Sequence, residues 1–495
     1  MKWWFRFCIM ILAVGLMACE SEVEDTTVED EEGTEAATGE IEVPTDTVWN
    51  HTVTIVYNGS SATVTIGADS VTYSVDGGDV TIKSQARNVE YTASGSGTGS
   101  LKIYSDYRYK LTLNNLTLTS SGRPVINNQG KKSLFLTLVG TSALSDSNGY
   151  ATETSDKEDQ KGAIFSEGQV FILGDGQLTL AGKNKHALAS DDYILMQSGT
   201  ITITAAATDG VHTNDAFQMD GGTLTIKSSD EGIAVDEGTV AINGGNINIT
   251  TSGTSAKGIK SYSDLAISGG TTIVSALGGS GESGSEGIES KAVLTISGGQ
   301  VVVNSYDDGI NAGGDLTISG GYVYAHATKN DGIDANGNCY IKGGVIFAVG
   351  SGNPEMAIDA NSEEQKKLYV TGGVLFTIGG LESGASLTQA CYSASSWTKD
   401  KWYSMTIGND TYAFKTPSSG GSTLVVSGSS QPTVKSGVTV SDGTAILNGN
   451  AYINASVSNG TNVTLSSYTP SQGGPGGGGG PGGGGPGGGG GPGGW

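Results

Sequence analysis

A Gly-Ile or Gly-Val dipeptide recurs from Gly210 to Gly332, and charged residues flank it at fixed offsets. Two positions before the Ile or Val stand Asp209, Glu231, Lys257, Glu286, Asp308 and Asp331. One position after it stand His212, Ala234, Lys260, Glu289, Asn311 and Asp334, followed by Asp359 where the Gly is lost. If successive copies stack, the copies from Glu286 to Asp334 place acid over acid in two adjacent columns, with Asp307 and Asn336 adding oxygens beside them. Carboxylates this close repel and raise one another's pKa unless a cation neutralises them. A set rich in oxygen and free of Cys suits Ca²⁺, which takes six to eight such ligands, and excludes a zinc centre in these copies. Lys257 and Lys260 sit in the copy just before Glu286 and Glu289, so ion pairs alone could also neutralise that part of the column. Both readings stay open.

The copies must be positioned by a repeating element. The shortest repeats run about 22–23 residues, a period that signals a solenoid. Each repeat holds three short apolar runs separated by Gly, Asn or Asp, as in Ile310, then Leu316 and Ile318, then Val323 after Gly320 and Gly321. That pattern reads as one three-strand turn of a parallel β-helix. Alternation along a strand points Leu294 and Ile296, or Leu316 and Ile318, into the coil. Cys339 takes the Leu316 position one repeat later and reads as core, with a disulfide to Cys391 as the alternative. The polar insertions at 278–285 and 362–367 break the period and read as loops.

The third residue after each Gly pair should face outward. That column runs Thr225, Asn248, Ile273, Val302, Tyr324, Phe347 and Phe376, with Tyr322 beside its late members. An outward row of Tyr322, Tyr324, Phe347 and Phe376 could stack on a polysaccharide chain. The alternative is that the aromatic segment holding Trp397, Trp402, Tyr403, Tyr412 and Phe414 folds back and covers it.

The flanks read differently from the body. Residues 1–18 have Lys2 and Arg6 before an apolar run too short to span a membrane, the pattern of a secretion signal. Leu16, Met17, Ala18 and Cys19 resemble the lipobox of bacterial lipoproteins, which implies cleavage before Cys19, lipidation of its thiol and attachment to a membrane. Residues 19–47 form an acidic tether with no Lys or Arg, expected to stay disordered. An acidic run after such a Cys resembles the signal that sends some lipoproteins to the outside of the outer membrane. Residues 48–160 read as an N-terminal β cap with the first irregular turns, 161–380 as the regular β-helix and 381–467 as a C-terminal β cap. Residues 468–495, rich in Gly and Pro, read as a flexible tail. The formal net charge of −24 argues against nucleic acid as a partner.

The Asp308-Gly309-Ile310 phrase running on to Leu316-Thr317-Ile318-Ser319-Gly320-Gly321, with strands such as Leu111 to Leu118 before it, resembles the bacterial carbohydrate-binding β-helix family. The resemblance covers roughly residues 53–380. It implies an all-β, right-handed parallel β-helix and calcium between turns. It also implies binding to polysaccharides of the plant-cell-wall type, acidic pectin and cellulose included, without catalysis. Calcium carries over onto Glu286, Glu289, Asp308, Asn311, Asp331 and Asp334, and more weakly onto Asp209 with Asp236. The chain is thus expected to be a surface-tethered, non-catalytic polysaccharide binder. Two alternatives are a rigid adhesion stalk and a calcium-dependent lyase. The lyase needs a base to take a proton, and Lys257, Lys260, Lys329, His212 and His326 are the nearest candidates.

Overall fold

The computed structural model describes residues 41–45, 47–151, 158–281 and 283–471. The secretion signal, Cys19, nearly all of the acidic tether and the tail from 472 lie outside the described residues. What is described is all-β: a 28-stranded sheet, a 12-stranded sheet, a two-stranded hairpin and a closed four-stranded barrel. Among the described residues, helix is limited to two single 3₁₀ turns, Ser362–Glu364 and Leu447–Gly449.

The large sheets are mostly parallel, and their register follows the repeat. Each repeat supplies three strands, and each strand pairs with its counterpart one repeat later. Ile259, Ile288, Ile310 and Ile333 line up across one ladder. Leu265, Leu294, Leu316, Cys339 and Leu368 line up across the second. Val301, Val323, Ile346 and Leu375 line up across the third. All of these residues are essentially inaccessible and belong to one continuous core. Burying such columns is the main favourable term, at about 25 cal/mol per Å² of apolar surface. Cys339 and Cys391 are both buried and free.

The Gly pair at each corner answers two separate demands. Gly321 has φ +76°, a conformation that residues with a Cβ rarely adopt. Gly320 has no such φ, but a Cβ there would lie 2.3 Å from the Ser297 carbonyl oxygen of the preceding turn.

Parallel pairing begins well before residue 161. His51–Gly59 already pairs in parallel with Val89–Thr98, while the hairpin partner Ser61–Gly67 covers its other edge. The 278–285 insertion forms the small hairpin Gly279–Ser280 and Ser283–Gly284, and 362–367 holds a 3₁₀ turn.

At the far end, Leu424–Ser427 pairs antiparallel with Val374–Ile378 and covers the end of that ladder. Strands Trp402–Ile407, Asp410–Lys415, Thr433–Ile446 and Ala451–Asn462 form the barrel. This barrel lies against the outward aromatic column. Tyr324, Phe347 and Phe376 are buried in a second core with Tyr403, Met405 and Phe414, and Tyr322 is half-buried at its margin. Phe376 stacks on Phe414 at 4.8 Å between centroids, and Phe347 meets the same ring edge-on at 5.5 Å. The proposed sugar-stacking row of Tyr322, Tyr324, Phe347 and Phe376 is therefore corrected: three of its four rings are sealed in an interior interface. An uncovered row would have left a large apolar surface in water, and the aromatic segment at 397–414 removes it.

Both tether boundaries also shift. Ile41, Val43 and Trp49, placed by sequence at the end of the disordered tether or just past it, pack on Phe135, Phe171, Tyr193 and Leu195 in a third cluster. The Gln218 side chain donates to the Ile41 carbonyl (2.9 Å) and accepts from its N–H (2.8 Å). At the other end, Tyr468, placed in the tail, donates to the Leu381 carbonyl at 3.1 Å, and Ser466–Ser467 pairs with Cys391–Ala394.

Phe376→Ala should destabilise the fold by about 3–5 kcal/mol, the usual cost of emptying a buried aromatic site. Thr225→Ala, in the same column but half-buried on an early turn, should change stability by less than about 0.5 kcal/mol. Equilibrium urea unfolding measures both. Equal effects at the two positions would show that the barrel does not seat on the column.

Candidate functional site

The corner that precedes the first strand of each turn brings the acidic columns together. Asp308 and Asp331 are buried at 5% and 7% exposure, and Glu289 at 3%. Asp334 and Glu286 are half-buried beside them. One carboxylate oxygen of each buried Asp stitches its turn to the next. Asp308 Oδ1 accepts from the Asp331 N–H at 3.0 Å, and Asp331 Oδ1 accepts from the Met356 N–H. Asp209 Oδ1 accepts from the Glu231 N–H at 3.1 Å in the same way. The second oxygen of each group is left to the corner. For Asp308 it takes the Asn311 amide at 3.2 Å.

These carboxylates raise one another. Burial is the largest cause throughout. Asp308 is held well above the usual range by burial, then by Asp334, Asp331 and Glu286. Burial and the neighbouring Asp334 and Glu355 push Asp331 to about 8. Asp334 is raised to about 6 by burial, with Glu355 and Glu382 adding to it. Glu286 rises to about 7, where burial and Glu289 outweigh the Lys257 ion pair.

The sequence columns understated this cluster. Oxygens of Asp331, Asp334 and Asp359 lie within 4.8 Å of one another. Asp359 is pushed up to about 11 by burial and by a side-chain hydrogen bond with Glu382. Glu355 and Glu382 belong to less regular turns, outside the aligned phrase, so the alignment offered no signal for them. Asn336, by contrast, is exposed and gives its amide to the Ala312 carbonyl at 3.5 Å. Asp307 is half-buried and accepts from the Asn330 side chain at 2.8 Å.

Ion pairing coexists with the cluster at its early end. Lys257 Nζ lies 2.9 Å from Glu286, Lys291 pairs with Glu289, and Lys260 lies 3.9 Å from Glu231. Even so, Glu286 Oε2 and Glu289 Oε2 are buried with no hydrogen-bond partner. Each of these glutamates thus has one oxygen on a lysine and a second, buried oxygen without a donor.

Asp209 belongs to a different arrangement. Its Oδ2 lies 2.9 Å from His212 Nδ1 and 3.1 Å from His186 Nδ1, and the two imidazoles stack at 4.1 Å. The Asp236 carboxylate lies 3.6 Å from His212 Nε2 and is half exposed. The histidines hold the Asp209 carboxyl below its usual range, against the opposing effect of burial. Ligand atoms of His186, Asp209 and His212, and those of Asp209, Asp230 and Glu231, lie within 4.8 Å of one another, so this corner too could hold a metal ion. His186 lies one turn earlier, outside the aligned phrase.

The candidate bases stand in different settings. Lys257 and His212 face carboxylates, as above. His326 is buried beside Tyr324, with Nε2 3.4 Å from Ser419 Oγ, and that burial lowers its pKa to about 4. Lys329 is exposed.

Three comparisons bear on the chain. The model of a family described as carbohydrate-binding domain-containing protein matches residues 76–332. No curated protein matches it. A solved structure described as the polysaccharide lyase-like protein from C. thermocellum, as a gadolinium derivative, matches with a TM-score of 0.43 and 22% identity. That match covers 50% of this chain and 96% of that chain.

The raised carboxyls predict an inverted pH response. A carboxyl whose folded pKa exceeds its unfolded value of about 4 binds its proton more tightly in the fold. Without cations, stability should therefore fall as pH rises from about 4 through about 8, by up to about 1.4 kcal/mol per pH unit for each group titrating. Asp359→Asn removes a carboxyl that must take up a proton to fold at pH 8, and should raise the melting temperature there in chelator. Thermal melts in EDTA from pH 5 to 8 check this; a melt that rises with pH would contradict the clustering.

Proposed function

The chain belongs to the family of carbohydrate-binding domain-containing proteins, whose model spans just over half of it, and from that premise we propose that it is a non-catalytic polysaccharide-binding protein of the cell surface. Its body is a right-handed parallel β-helix closed by β caps, and Cys19 carries the lipid that holds it at the outer membrane. Acidic, pectin-like or cellulosic chains are its ligands.

The observation that carries the reading is the family match over the parallel stack that contains most of the acidic corner. Calcium belongs to the same proposal. The residues fit a hard cation: the donors are oxygens, burial first and neighbouring carboxylates second raise the carboxyls of Asp308, Asp331 and Asp334, and Glu286 Oε2 and Glu289 Oε2 have no hydrogen-bond partner. Asp308, Asp331, Asp334 and Asp359 would hold the ion, with Glu286, Glu289 and Asn311 toward the earlier turns. Bound there, Ca²⁺ would supply the positive charge that the corner lacks. Lys257 neutralises one end of the column, so cation binding would centre on the later turns.

The purified chain should be retained on insoluble or immobilised polysaccharides without releasing unsaturated products that absorb in the ultraviolet. CaCl₂ should raise its melting temperature at pH 8 by several degrees, and Asp331→Asn should reduce that gain. Retention on no glycan would leave the stalk reading standing. Release of unsaturated sugars would replace the binder with a lyase. An unchanged melt with no metal in elemental analysis would remove calcium.

A further inference from the structure

The two ends of the stack are finished differently. At the late end, Leu424–Ser427 lies antiparallel on Val374–Ile378, and the barrel packs beside it. At the early end, the outermost strands are Ser61–Gly67 and Val71–Asp76. Among the described residues, the first pairs only with His51–Gly59 and the second only with Asp79–Ser84. Each therefore keeps one outer edge without a strand partner. The Ala62 N–H donates to the Gly77 carbonyl at 3.1 Å, which ties the start of one edge strand to the turn that ends the other.

The same end leaves core-facing side chains uncovered. Ala62, Val64 and Ile66 stand opposite Tyr57, Ile55 and Val53, which are buried core residues. Tyr73 and Val75 stand opposite Ile82 and Val80, also in the core. Alternation points them all toward the inside of the coil. Yet Tyr73 is 48% exposed and Val75 38%, because no described turn lies over them. Ala62 and Ile66 are half-buried against the core. The core thus ends in an apolar layer flanked by two strand edges.

Nothing in these edges discourages pairing. Exposed edges are usually guarded by Lys, Pro or a bulge. Residues 61–67 carry no charge and no Pro, and residues 71–76 carry one charge, on the last position, Asp76. Both hairpins keep an unbroken register. From Thr52 to Ala68 the chain has no Asp, Glu, Lys or Arg, although its formal net charge is −24. Two copies repel one another over most of their surface and least at this end.

The chain's own remaining segments do not suit this layer. The residues from Glu20 to Glu40 are acidic, and Ile41, which follows them, is held on the flank by Gln218. Residues 473–495 are Gly and Pro up to Trp495, without the alternating apolar side chains that fill a β layer. A second copy has what the end lacks. Turned about a two-fold axis, it brings the same two edges and the same apolar layer, so each edge gains an antiparallel partner and each apolar side chain an apolar neighbour.

We propose that two copies of the chain associate end to end through Ser61–Gly67 and Val71–Asp76, burying Ala62, Ile66, Tyr73 and Val75 between them. Such a dimer leaves the side faces and the acidic corner free on both copies, so one long polymer meets two bodies at once.

Sedimentation of the purified chain from about 1 to about 200 µM should pass from the mass of one chain to twice that mass. Added NaCl should not weaken the association, because it screens the repulsion between two acidic bodies. The Tyr73→Lys/Val75→Lys pair replaces exposed residues and should leave the melting temperature of the dilute chain unchanged. It should weaken association by roughly tenfold or more, because the two-fold contact sets each new charge near its own copy. Hydrogen exchange on the unaltered chain needs no variant, which covers the case of a lysine pair that melts early. Amides of residues 61–67 and 71–76 should gain protection as concentration rises, while those of Leu101 and Ile103 in the core should not change.

A single chain's mass at every concentration would overturn the dimer. A dimer that survives the lysine pair would place the contact elsewhere and overturn this interface. Full protection of residues 61–76 in the dilute monomer would show that a segment of the same chain covers the end, with the same result.

Discussion

The structure depends on the register of its parallel turns. A backbone ladder sets each residue beside its counterpart one repeat away, so every column is an experiment in placing like beside like. Apolar columns gain from this. Ile288, Ile310 and Ile333 bury one another without any partner of a different kind. Charged columns lose, because spacing between neighbouring strands of about 4.8 Å is well inside the range where carboxylates repel. Where the sequence breaks the column with Lys257, the repulsion becomes an ion pair. Where it does not, at Asp308, Asp331, Asp334 and Asp359, the fold holds a concentrated demand for positive charge.

The same register creates surfaces that must be managed. Outward columns repeat as faithfully as inward ones, so an aromatic residue retained in successive turns becomes a continuous apolar stripe. This molecule covers two such stripes by different means. The Tyr324, Phe347 and Phe376 column receives a whole barrel. The Phe135, Phe171 and Leu195 column receives Ile41, Val43 and Trp49 from the segment before the first strand. The antiparallel strand Leu424–Ser427 covers the end of the ladder that Val374–Ile378 closes, which removes one template for pairing with other chains.

Much of this was legible in the sequence, and the reasons are physical. Period and alternation identify which residues share a column and which face they take, so the core columns and the grouping of Glu286, Asp308, Asp331 and Asp334 could be read directly. Alternation says that Phe347 points away from the coil; it carries no information about what lies on the other side. Distant segments decide that, and only the packed structure shows Phe414 against Phe347. Glu382 and Glu355 escaped notice because less regular turns bring them to the corner. His186 escaped because it precedes the aligned phrase, although it shares Asp209 Oδ2 with His212.

The clamp between Gln218 and Ile41 has a mechanical consequence. Ile41 sits on the flank of the body, held by a side-chain amide far along the chain, and not at the end where the first hairpin lies. Tension applied upstream of Ile41 would reach two hydrogen bonds and a small apolar patch before it reached any backbone ladder. Such a load peels a short contact and leaves the stacked turns unstrained. The flank attachment thus acts as a mechanical fuse, one that can yield and reseat while the body stays folded.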